Sequence, residues 1–263
     1  MRGLLNLIIC ECKKFKRRQL FALATLAAFI FPIIITALFW NTPDPDFDNL
    51  FVGIVDYGDF LLLLPILVMI ASSLFFTEQD NNTLKNIITI PVSRNKVVLS
   101  KLIVMALLSI AYALGGFLAS TVSARLLGMS LNGIYIKLLL SLTLGLMTLF
   151  AALPCIFLVV WFNKNDLISI VITLFYTIIN YVVHYTNTGM LTHIGFNIGT
   201  LLPVPLIYRW IYAFFDPGKG ESLDFYRTMQ PYFVSTPVCV GILVIIAAIF
   251  VFAILKVYKK REG

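Results

Sequence analysis

Residues 138–162 read LLLSLTLGLMTLFAALPCIFLVVWF, twenty-five positions without one charged side chain. An α-helix rises about 1.5 Å per residue, and about 20 apolar residues cross the hydrocarbon core of a bilayer. This run is long enough to cross, and its solvent is lipid. Five more stretches read the same way, at residues 20–40, 60–76, 97–118, 167–185 and 234–255. Pro65 falls in the first turns of the second stretch. Pro154 predicts a kink in the fourth, because proline removes a backbone donor, and neighbouring helices can absorb such a break inside a membrane. The first stretch is too long for a signal-peptide core and lacks a small-x-small cleavage site before Asn41.

The whole composition agrees. Of 263 residues 60% are apolar and 13% charged, with a mean hydropathy of +0.93. An ordinary soluble domain carries about a quarter charged residues. A soluble enzyme or DNA-binding domain is excluded, and the chain reads as an all-α polytopic membrane protein with six transmembrane helices.

Charge placement predicts the topology. With the N-terminus inside, fifteen Lys and Arg lie on the cytoplasmic side and five outside, the asymmetry of the positive-inside rule. The first outer loop carries Asp44, Asp46, Asp48, Asp56 and Asp59 and no basic residue. Both termini are therefore expected in the cytoplasm. The formal net charge of +7 is a topology signal, and no nucleic-acid partner is expected.

The six stretches as drawn hold no Asp or Glu, and Lys101 lies one turn from a cytoplasmic end. Ion-coupled carriers keep ionisable groups at membrane depth, so this pattern argues against one. His184 and His193 stand apart from acids and form no His-Glu-x-x-His motif, so no metal site is expected. Cys10, Cys12, Cys155 and Cys239 form no disulfide framework. No G-x-x-x-x-G-K-[ST] motif is present, so the chain binds no ATP in the usual way and is expected to be non-catalytic.

Residues 1–19 read as a cytoplasmic interfacial helix. Leu4, Leu5, Ile8, Cys12 and Phe15 share one arc, with Arg2, Lys13, Lys14, Arg17 and Arg18 opposite. That pattern suits a helix lying in the headgroup region of membrane lipid. Residues 77–96, TEQDNNTLKNIITIPVSRNK, form a cytoplasmic loop. Asn82 or Thr83 can cap a short helix that Pro91 stops, and Ser93 can cap the next one. The stretch at 167–185 carries a polar stripe, Ser169, Thr173, Thr177 and Asn180, suited to a substrate path, a seam between two permeases, or hydrogen bonds within one bundle. Residues 186–237 are too long for a bare connector, and 194–215 are apolar enough to dip into the outer leaflet without crossing, with Tyr208 and Trp210 as interface anchors.

Glu78, then Thr83-Leu84, then Pro91-Val92-Ser93-Arg94, with Lys101 opening a span, resembles the permease subunits of ABC-2 type transporters. The opening Glu11-Cys-Lys-Lys-Phe-Lys-Arg-Arg18 is similar to the bacitracin-resistance and lantibiotic-immunity branch of that family. Asn82 stands where the family often has Gly, and Lys85 where an acid often follows the Thr-Leu pair. The resemblance implies a layout of an interfacial helix (1–19), a six-span domain (20–258) and a cytoplasmic tail (259–263). It also implies a coupling helix in 77–96 and a re-entrant extracellular segment in 186–237, between spans five and six. It implies that Glu78, Thr83, Leu84, Lys85 and Arg94 dock into a separate ABC ATPase present in two copies. ATP and Mg would sit on that partner, with no cofactor on this chain. A second permease, identical or a sister subunit, would complete the channel in a bacterial cytoplasmic membrane. The cargo implied is an amphipathic antimicrobial peptide, bound through apolar and aromatic contacts rather than a charged pocket. The alternatives are a carrier or channel without an ATPase, and an exporter of lipid, polysaccharide or a small drug.

Overall fold

The computed structural model describes residues 2–15, 19–40, 46–80, 93–162, 166–185, 202–215 and 221–261. Every regular element among them is helical. In chain order they are α1 (Arg2–Phe15), α2 (Gln19–Phe39), α3 (Phe47–Ile54), a π-helical segment (Val55–Leu63) that runs directly into α4 (Leu64–Asp80), α5 (Arg94–Leu126), α6 (Ile134–Phe162), α7 (Asp166–Tyr185), α8 (Pro203–Ile211), α9 (Glu221–Met229) and α10 (Thr236–Arg261). Four helices are long and apolar enough to cross a membrane: Phe47–Phe76, Arg94–Leu126, Ile134–Phe162 and Thr236–Lys260. Leu26–Leu38 and Ile168–His184 are shorter apolar helices.

The second stretch begins thirteen residues earlier than its expected start at 60. Phe47, Leu50, Phe51, Ile54 and Val55 recur at helical spacing and are all buried, so the apolar stripe carries the helix through the acids between them. Asp56 and Asp59, expected in an outer loop, lie inside this apolar helix and are buried. The argument from carboxylate-free spans therefore falls. Pro65 supplies the reason for the π segment just before it. Proline has no N–H to give the preceding turn and its ring crowds the carbonyl four residues back, and a wider turn relieves both. Pro154, by contrast, sits within α6 without ending it.

α6 is the centre of the bundle, packed by α4, α5, α7, α8 and α10. Its contact with α5 is the closest. A Cβ built on Gly145 would lie 2.7 Å from Ile110 Cα and 2.8 Å from the Ser109 carbonyl, so only glycine lets these backbones meet. The Ser109 hydroxyl donates to the Gly145 carbonyl across that contact. The outward faces are apolar, with Phe29 and Ile33 on α2, Leu174 and Phe175 on α7, and Ile249 and Phe252 on α10 exposed. Lipid or another apolar surface suits such faces.

α8 lies within the bundle. All nine of its residues are buried, including Tyr208 and Trp210, which were expected to anchor at the membrane surface. The Trp210 indole N–H donates to Thr236 Oγ1 at 3.0 Å, so the bundle itself supplies its partner.

Candidate functional site

The bundle has two polar ends. At the first, α1 packs along α5 and presents Glu11 inward, while Leu5 and Ile9 stay exposed. Lys101 of α5 is completely buried. Its ammonium donates to the Leu74 carbonyl of α4 at 2.6 Å, lies 5.6 Å from the Phe75 ring centre, and stands 3.9 Å from the Glu11 carboxylate. Glu11 also pairs with Lys14 at 2.7 Å. A buried ammonium is tolerated only with such partners, so Lys101 ties α1, α4 and α5 together.

α4 and α5 flank residues 81–92. Thr83, Leu84 and Lys85 lie outside the described residues. Glu78 falls in the last turn of α4, with its side chain outside them too. The helix therefore runs through Asp80, into what was expected to be loop. Arg94 is the first residue of α5, exposed, and its guanidinium donates to the Lys259 carbonyl of α10 at 3.4 Å. Ser93 occupies the N-cap position without a side-chain cap bond.

The stripe on α7 faces its own bundle. Ser169, Thr173, Thr177 and Asn180 are all buried, whereas Ile170, Leu174 and Ile178 between them are exposed. Thr173 donates to the Ser169 carbonyl at 2.7 Å. Asn180 donates to the Tyr176 carbonyl at 3.0 Å and accepts the Val204 N–H of α8 at 3.3 Å. Tyr176 donates to the Ala151 carbonyl of α6 at 2.7 Å. Asn180 thus holds the first turn of α8 in place, while the Thr177 hydroxyl has no hydrogen-bond partner among the described residues.

At the second end Lys137 of α6 is buried and pairs with Asp48 at 2.6 Å, with the Asn132 carbonyl at 2.7 Å and the Phe47 ring at 4.5 Å. A chain of rings joins the π segment, α7 and α8. His184 meets Tyr181 at 4.7 Å, Tyr208 at 4.8 Å and Phe60 at 5.9 Å between centroids. Tyr181 continues to Tyr57 at 6.2 Å. Asp56 and Asp59 flank these rings on the π segment. Neither forms an ion pair with a described basic residue, whereas Glu11 pairs with Lys14 and Lys101, and Asp48 with Lys137.

Sequence reasoning missed three of these groups. Lys101 read as an end-of-span charge, because its acidic partner is ninety positions away in the chain. Asp56 and Asp59 read as loop, because five acids between 44 and 59 outweighed the apolar stripe that continues through them. The spacing of Phe47, Leu50, Phe51 and Ile54 was the available signal.

Among the described residues no group of three or more His, Cys, Asp or Glu could hold a metal ion. A comparison with curated proteins finds no match. Residues 7–180 match the family described as ABC-2 family transporter protein, a stretch that includes Glu11, the π segment, Lys101 and the α7 stripe. This apolar multi-helix chain belongs to the ABC-2 transporter family and is a multi-pass membrane protein.

Proposed function

We propose that the chain is the permease subunit of an ATP-driven exporter in a bacterial cytoplasmic membrane. In this reading it crosses six times, keeps both termini in the cytoplasm, and pairs with a second permease and two copies of a separate ATPase that holds ATP and Mg. The observation that carries the reading is the lock at Lys101. It fastens α4 and α5, the helices on either side of residues 81–92, to each other and to α1. A push on 81–92 by a cytoplasmic ATPase would then move three helices together, which is how a local contact becomes a change of access. Glu78, Thr83, Leu84, Lys85 and Arg94 would form that contact.

An amphipathic antimicrobial peptide is the proposed cargo, with bacitracin or lantibiotic resistance as the outcome. The ring cluster of Tyr57, Phe60, Tyr181 and Tyr208 supports an amphiphilic ligand. Co-expression with a candidate ABC ATPase tests the reading. The expected result is a complex whose ATPase rate rises with peptide, and which loses that response in Glu78→Lys and Arg94→Glu. Purification of the permease alone, with peptide tolerance unaffected by its deletion, overturns it.

The buried Asp56 and Asp59 favour a second reading, an ion-coupled carrier. Transport that persists without the ATPase and stops when the proton gradient is collapsed would select it.

A further inference from the structure

We propose that Asp56, Asp59 and Tyr112 form an ammonium-binding site inside the bundle, which takes the cationic group of an amphiphile. Asp56 is 7% exposed and Asp59 6%. A carboxylate withdrawn from water needs a cation or donors in its place, and ionisable groups at membrane depth mark ligand paths. Of the buried cations beyond Lys101, Lys137 pairs with Asp48, and Arg209 gives its Nε to the Tyr232 carbonyl at 2.9 Å and lies over the Tyr232 ring.

The second observation is Tyr112 on α5. Its side chain is buried, its hydroxyl has no hydrogen-bond partner among the described residues, and it lies within electrostatic reach of Asp59. A third concerns space. Gly58, between the two acids, is buried, yet a Cβ built on it would meet nothing nearer than Ile54 Cγ2 at 4.0 Å. The backbone between the carboxylates borders open room rather than packed side chains.

The chemistry of the walls chooses the ligand. No third acid, His or Cys joins the described pair to coordinate a metal. Tyr57 and Phe60 directly follow the two acids on the π segment. Phe60 touches His184 and Tyr208, and Tyr57 touches Tyr181. Two carboxylates for charge, a phenol for a hydrogen bond and ring faces for cation–π attraction are the fittings of an organic ammonium group. The site rests on the exporter reading only for its natural ligand, a cationic amphiphile. That reading placed affinity in apolar contacts, and this site adds a charge contact at a defined depth.

The test uses the full chain in nanodiscs of uncharged phosphatidylcholine, with hexylammonium as the probe and hexanol as its neutral match, read by calorimetry. Saturable binding of hexylammonium alone is expected. Asp59→Asn and Asp56→Asn should each weaken it at least tenfold, and Tyr112→Phe about threefold. Gly58→Leu should abolish it by filling the room, while Asp224→Asn, on exposed α9, should leave it unchanged. Rescue by Asp59→Glu would separate charge from folding. In the wild-type chain, hexylammonium should also slow carbodiimide modification of Asp56 and Asp59, followed by mass spectrometry. Equal binding of hexanol, undiminished binding in both Asn variants, or unprotected carboxylates overturns the proposal. A failure here leaves ATPase association untouched, so the two readings fail separately.

Discussion

The two ends of the bundle treat buried charge in opposite ways. At the end that gathers α1, α4 and α5, the Lys101 ammonium has a carbonyl, a carboxylate and a ring within reach. On the π segment toward the other end, Asp56 and Asp59 have no cationic partner among the described residues. The first arrangement closes on itself and holds helices together. The second has no such closure among the described residues, which is why we propose a ligand there. Charge in a membrane helix therefore cannot be read by its presence alone; its partners decide whether it is a fastener or a receptor.

Substitutions should separate the two cases by sign. The largest effect is expected for Lys101→Ala, which empties the space of a buried ammonium and leaves Glu11 with Lys14 only. Removing one partner of a buried pair costs about 3–5 kcal/mol, and thermal unfolding in detergent should show it. Lys101→Met, which keeps the volume but not the charge, should recover only the packing part of that loss. Lys137→Ala breaks the pair with Asp48 and should cost about 2–3 kcal/mol, less because Asp48 keeps some access to solvent. A loss there as small as for an exposed pair would place Lys137 among the surface charges.

Asn180→Leu should cost about 1–2 kcal/mol, since the Val204 N–H would be left buried without an acceptor. Its mark should be faster hydrogen exchange at the start of α8. Asp59→Asn should go the other way and raise stability by about 1 kcal/mol, because it removes a buried carboxyl that has no basic partner among the described residues. Stabilisation there beside destabilisation at Lys101 would sharpen the comparison, and destabilisation at both would break it. The smallest change is expected for Thr177→Val, within about 0.5 kcal/mol, since its hydroxyl holds no hydrogen bond to lose.

Most of the helical layout was legible because apolar length and helical period are local properties. The stripe of Ser169, Thr173, Thr177 and Asn180 was visible from spacing, and it does share one face. What faces it was not legible, since α8 arrives from more than twenty residues further on. The start of the Phe47–Phe76 helix was hidden for a different reason. Local acid density argued for water, whereas the burial that keeps Asp56 and Asp59 inside is supplied by α5, α6 and α7. Lys101 shows the same limit, because no window around it contains Glu11. The candidate contact for an ATPase rested on motif resemblance, and most of it lies outside the described residues.

The approach of Gly145 to Ser109 and Ile110 has a mechanical consequence. With no side chain between them and a hydroxyl bridging the backbones, α5 cannot roll or slide on α6 without prising the two apart. They behave as one double-width strut. Because Lys101 also hooks α5 to α4, a displacement delivered near residue 93 has no slack to take up at the strut and must emerge as motion of thinner-coupled neighbours. The outward-facing α2 is where the bundle can give way.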